Sequence, residues 1–117
     1  MVEYAARKGN LPPRPHVVWD DLAERRRTGV RAWVRLYPGE VAPCLVSGDR
    51  PITLVWSSLW PDRPDDLVEF TLRPHGMGTR VEVVMTGAEE PQPEQASYFR
   101  RRLGELVYGE LRLAYDQ

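Results

Sequence analysis

Ser58 stands between Trp56 and Trp60 at strand spacing, and this hydroxyl flanked by two indoles is the most chemically suggestive setting in the chain. A hydroxyl on an otherwise dry face needs a hydrogen-bond partner; a ligand, a water or a neighbouring backbone group would each serve. Trp33, Trp56 and Trp60 each combine a large apolar surface with one N–H donor. Core packing and pocket lining both account for such residues. Tyr98, Phe99 and Tyr108 either form an opposing wall or serve as ordinary core and surface aromatics. The remaining reactive groups point elsewhere. Glu69 and Glu82 alternate with apolar neighbours, so strand parity turns them to solvent, and general acid work would need one of them buried. His16, His75 and Cys44 do not have the spacing of a zinc site, so no metal is expected. Gly76-Met77-Gly78 lies between two strands and not at a helix start. With no nucleophile elbow, phosphate loop or dinucleotide fingerprint, no cofactor is expected and the reading leans away from an enzyme.

The chain's 117 residues suit a single domain, 1–117, with one core. A formal charge of -1 gives no overall attraction to nucleic acid or anionic membrane. Arg25, Arg26, Arg27 and Arg100, Arg101, Arg102 are local basic runs, to be read as solvated faces or helix ends, or else as anion contacts. The single cysteine rules out an intrachain disulfide. No apolar run approaches the roughly 20 residues of a membrane span, and Met1 to Asn10 shows no leader pattern, so a cytoplasmic location is expected.

The elements that would position these groups follow from periodicity. Glu3 to Asn10 reads as a first strand, and Pro15, Val18, Trp19 and Leu22 mark one face of a short helix. Val30 to Tyr37 alternates as a strand, and Val41 to Ser47 as another, held to an edge or a bulge by Pro43. Ile52 to Thr86 reads as three strands. Ile52, Leu54, Trp56, Ser58 and Trp60 share one face, opposite Leu59; Val68, Phe70 and Leu72 follow, then Val81, Val83 and Met85. Pro61 to Asp66 is a connection expected to have a mobile tip, and Gly76 and Gly78 suit positive φ in the tighter turn. The dry face needs a cover. Phe99, Leu103, Leu106, Val107, Leu111 and Ala114 supply it as one stripe of a helix from about Glu94 to Ala114, held by packing because Gly104 and Gly109 weaken it.

This order predicts an α+β fold in which a long C-terminal helix lies across a curved antiparallel sheet. At this point PPRPHVVWDDL (Pro12 to Leu22), RPITLVWSS (Arg50 to Ser58), LVEFTLRPHGMGTRVEVVM (Leu67 to Met85) and RRRLGELVYGELR in the last helix carry a resemblance. The chain resembles a shortened member of the START-related SRPBCC superfamily, with its helix-grip, birch-pollen-allergen-like fold, nearest the homologues of the heat-shock-chaperone ATPase activator. Only Glu24 to Gly29 separates the first helix from the Val30 strand, where such proteins carry a second helix and further strand sequence.

The resemblance implies an apolar pocket between sheet and helix. The leading expectation is non-catalytic binding of a small apolar or aromatic molecule, walled by Trp33, Trp56, Trp60, Phe70, Met85, Phe99, Leu103 and Val107, with Ser58 and Tyr108 as polar anchors. The alternative is a protein-interaction module like the chaperone activators, since a shortened roof leaves an apolar patch open to a partner or to a second copy in a homodimer. A third reading, a cyclase or dehydratase acting on a polyketide-like substrate, requires a buried carboxylate or histidine inside the cavity.

Overall fold

The computed structural model describes residues 1–24 and 33–115. Five strands, β1 (Val2–Leu11), β2 (Leu45–Asp49), β3 (Thr53–Ser57), β4 (Leu67–His75) and β5 (Gly78–Gly87), form one antiparallel sheet in the order β1-β5-β4-β3-β2. Helix α1 (Pro15–Glu24) follows β1. Helix α2 (Pro93–Gly104) continues through a π-helical segment (Glu105–Leu111) into a last turn, α3 (Arg112–Tyr115). No helix among the described residues is long and apolar enough to cross a membrane.

Alternation explains the covered face. Leu54 and Trp56, then Val68, Phe70 and Leu72, then Val81, Val83 and Met85 are buried, because register places them side by side: Trp56 opposite Val68, Phe70 opposite Val83. Phe99, Leu103, Leu106, Val107 and Leu111 cover them from the C-terminal helix, and Val18 and Leu22 of α1 join the same core. Each fully buried aliphatic or aromatic side chain contributes about 1.5–3 kcal/mol relative to exposure, so packing holds a helix whose glycines alone would weaken it.

Five expectations are corrected. Of the strand expected over Val30 to Tyr37, residues 30–32 lie outside the described residues, and Trp33 to Tyr37 is not a strand. Its backbone groups bond to side chains instead of a ladder: Arg35 N–H donates to Glu110 Oε2 (3.1 Å), Tyr37 N–H to Glu40 Oε1 (2.8 Å), and the Arg35 carbonyl accepts from Arg102. The strand expected over Val41 to Ser47 begins only at Leu45. Before it, isolated bonds run beside the β3 exit, from Val41 N–H to the Leu59 carbonyl (2.8 Å) and from Ser57 N–H to the Cys44 carbonyl (2.9 Å). The parity of the central stretch also fails at both ends. Ile52 is exposed at the hairpin tip, and Leu59, assigned to the opposite face, is fully buried because the chain leaves the strand after Ser57. Finally, Gly76 takes φ +58, but Gly78 is required for another reason: a Cβ there would collide with the Leu11 and Pro12 carbonyls. The Pro61 to Asp66 tip is tied down, with Asp66 buried and bonded to Tyr4 and Arg63.

Candidate functional site

The aromatic residues meet one another. Trp33 and Trp56 have ring centroids 6.0 Å apart, Trp56 and Phe70 4.8 Å, and Trp60 and Phe99 4.3 Å. Trp56, Met85 and Val107 have no accessible surface, and Phe70, Phe99 and Leu103 almost none. Their surfaces are therefore spent on each other.

The indole donors are employed in joining elements. Trp33 Nε1 donates to the Asp21 carbonyl (3.0 Å) and Trp56 Nε1 to the Leu22 carbonyl (2.9 Å), which caps the C-terminal end of α1 from the sheet side. Trp19 Nε1 reciprocates by donating to the Thr53 carbonyl (2.7 Å). The Ser58 hydroxyl accepts from Trp60 N–H (3.0 Å) and donates to the Trp60 carbonyl (3.3 Å), so of its three candidate partners a backbone group is the one present. Trp60 Nε1 differs. It is buried and has no acceptor among the described residues. Tyr108 reaches across β1, where the missing side chain of Gly9 leaves room for its ring, and donates to the Val81 carbonyl (2.6 Å).

A polar network missed at the level of sequence lies beside this cluster. Arg102, read as part of a basic run, is fully buried; its guanidinium pairs with Glu40 through Nε (2.9 Å) and Nη2 (3.0 Å), with side-chain exposures of 0% and 2%. The Tyr37 ring lies 3.7 Å from its Cζ, and the Tyr37 hydroxyl donates to Glu105 Oε2 (3.2 Å). Arg102 Nη1 has no acceptor among the described residues. The signal was available: Arg102 lies three residues after Phe99, on the helix's buried stripe.

A second buried group joins Tyr4, whose hydroxyl donates to Asp66 Oδ2 (2.5 Å), with Arg63, whose Nε donates to the same oxygen (2.5 Å). Burial, reinforced by Asp66, pushes the Tyr4 phenol above its ordinary 10.0, and burial does the same to Tyr108. The folded chain thus keeps protons that the unfolded chain releases near pH 10. Stability is complete below that pH and falls as pH rises above it. Tyr108→Phe should flatten this loss in urea midpoints measured on either side of pH 10; an unchanged slope would remove Tyr108 from the account.

The two sheet edges differ. On the free side of β1, Arg100 Nε donates to the Ala6 carbonyl (3.0 Å) and Arg112 Nη1 to the Asn10 carbonyl (3.1 Å). Among the described residues strand β2 pairs only with β3, all five of its residues are exposed, and Leu45 (42%), Val46 (54%) and nearby Ile52 (52%) are apolar.

No protein-family model and no curated protein matches the sequence. Solved structures do match in shape. The solution structure of the Aha1 dimer from Colwellia psychrerythraea superposes with a TM-score of 0.71 at 13% identity, over 96% of this chain and 94% of that one. The fold is the helix-grip fold. MLL2253 from Mesorhizobium loti shares it with a TM-score of 0.65 at 16% identity, over 97% and 98% of the two chains. CalU16 from Micromonospora echinospora gives 0.65 at 16%, over 89% and 71%. At such identities the likeness carries the fold alone, which hosts different functions. In this helix-grip chain Phe99 of the helix meets Trp60, which follows β3.

Proposed function

We propose that the domain is a protein-interaction module whose docking edge is β2, where an extended segment of another polypeptide adds to the sheet. The observation that carries this reading is the asymmetry of the two edges: arginines occupy the Ala6 and Asn10 carbonyls of β1, while among the described residues β2 presents an unpaired backbone between exposed apolar side chains. An unprotected edge is a template for strand addition, through main-chain hydrogen bonds for affinity and side-chain contacts for selectivity. The similarity in shape to an Aha1 dimer supports the same reading, and a homodimer is its simplest form, with β2 of a second copy as the added strand.

Val46→Lys tests it. The side chain is exposed, so the unfolding free energy from urea titration should move by no more than about 0.5 kcal/mol, while self-association by light scattering or capture of a co-purifying protein should fall about tenfold or more. A parent chain that is monomeric and captures nothing, or a variant that associates as well as its parent, would overturn the proposal.

One observation favours a second reading, the binding of a small apolar or aromatic molecule. Trp60 Nε1 is a buried donor without an acceptor among the described residues, and a ligand carbonyl or hydroxyl reaching past Phe99 would satisfy it. Titration of indole-sized apolar ligands against tryptophan emission tests this reading; Trp60→Phe should abolish the response, and a response that survives argues against the site.

A further inference from the structure

We infer that the groove between β1 and the π-helical segment binds a small organic oxyanion, a carboxylate or a phosphate ester with a flat apolar body. The groove is open to solvent, offers about 370 Å³ and is lined by Arg7, Arg101, Gly104, Glu105, Tyr108 and Gly109. That volume falls at the low end for small-molecule sites.

Arg7 is the decisive group. It is half-buried on the helix-facing side of β1, and its guanidinium has neither an ion-pair partner nor a hydrogen-bond acceptor among the described residues. Arg50, Arg63, Arg100, Arg102 and Arg112 all donate to an acceptor. A guanidinium offers five donors in a planar fork, and its natural complement is a carboxylate or phosphate. Gly104 leaves room for it: a Cβ at that position would stand 2.9 Å from Arg7 Cζ and 3.0 Å from Nη1.

The rest of the groove suits an anion with a ring. Arg101 adds a second cation to the rim, and the rim's one carboxylate, Glu105, accepts from the Tyr37 hydroxyl (3.2 Å). Tyr108 contributes a wall without a free hydroxyl, since that group is already bonded to the Val81 carbonyl. At Gly109 a Cβ would meet nothing within 4 Å, so the mouth is open at that point. The backbone also departs from α-helical geometry along this wall, as π-helical turns often do at functional sites. The two glycines that weaken the helix thus have a use: one leaves room for Arg7 and the other keeps the mouth clear.

The experiment is an amide NMR titration of the whole chain with benzoate and with phenyl phosphate, at constant chloride. Saturable shifts centred on Arg7, Gly104 and Gly109 are expected with at least one probe, and the tighter probe identifies the oxyanion. Arg7→Gln should weaken binding by roughly tenfold or more. Gly109→Trp, which projects into open space, should abolish the shifts while amide dispersion is retained. Absence of saturable shifts with both probes, or affinity unchanged in the folded Gly109→Trp variant, would overturn the proposal. The groove lies at the β1 end of the sheet and β2 at the other, so failure here leaves the interaction edge untouched.

Discussion

Glu40→Ala is expected to lower the unfolding free energy by about 3–5 kcal/mol, because it strands the Arg102 guanidinium in the interior. Both side chains of the pair are buried, and Arg102 already carries one donor, Nη1, without an acceptor among the described residues. What remains for the cation is the Arg35 carbonyl and the Tyr37 ring face, which cannot replace a bidentate carboxylate. Against a typical total of about 5–15 kcal/mol, this is a large share. It should appear as a lower urea midpoint with an unchanged slope. The paired replacement Glu40→Leu with Arg102→Met should recover most of the loss, since swapping a whole buried ion pair for apolar groups is often neutral. If Glu40→Ala alone costs under about 1 kcal/mol, the pair behaves as a surface ion pair and the burial argument fails.

Trp56→Ala should cost about 3–5 kcal/mol as well, by a different route. The ring is completely buried between Trp33 and Phe70, so truncation leaves a cavity, and it also orphans the Leu22 carbonyl that the indole caps. Trp56→Phe separates the two contributions: it keeps much of the volume but loses the donor, with an expected cost of about 1–3 kcal/mol. Trp60→Phe is the control. Its Nε1 has no acceptor among the described residues, so no partner is abandoned, and the cost should be below that of Trp56→Phe. Urea unfolding of the three variants checks the order; equal costs for the two phenylalanine replacements would show that the Leu22 bond contributes nothing.

The central strands were legible because their burial is a period-two property: Val68, Phe70, Leu72 and Val81, Val83, Met85 alternate within a few residues of one another. The C-terminal stripe was legible for the same reason at helical spacing. Trp33 to Tyr37 carried an equally good alternation and is not a strand, because its backbone partners are Glu110 and Arg102, far along the chain. Local periodicity has no access to a competitor that only the tertiary fold brings near. The candidate site divides similarly. Burial of Trp56, Phe70 and Phe99 could be read from pattern, whereas the use of the Trp33 and Trp56 donors depends on where α1 ends in space. Arg102 was hidden by its company in an arginine run, and the contact of Arg7 with the helix was announced only by a glycine at 104.

The pairing of β1 with β5 also sets a timetable for biosynthesis. Val2 lies opposite Gly87 and Leu11 opposite Thr79, so β1 is synthesised well before the strand it pairs with. The helix whose arginines occupy the outer carbonyls of β1 comes later still. Until then β1 is a bare strand on both sides, and such non-local pairing is slow to form and exposed to aggregation meanwhile. The guarded edge of the finished fold is thus, during synthesis, an unguarded one.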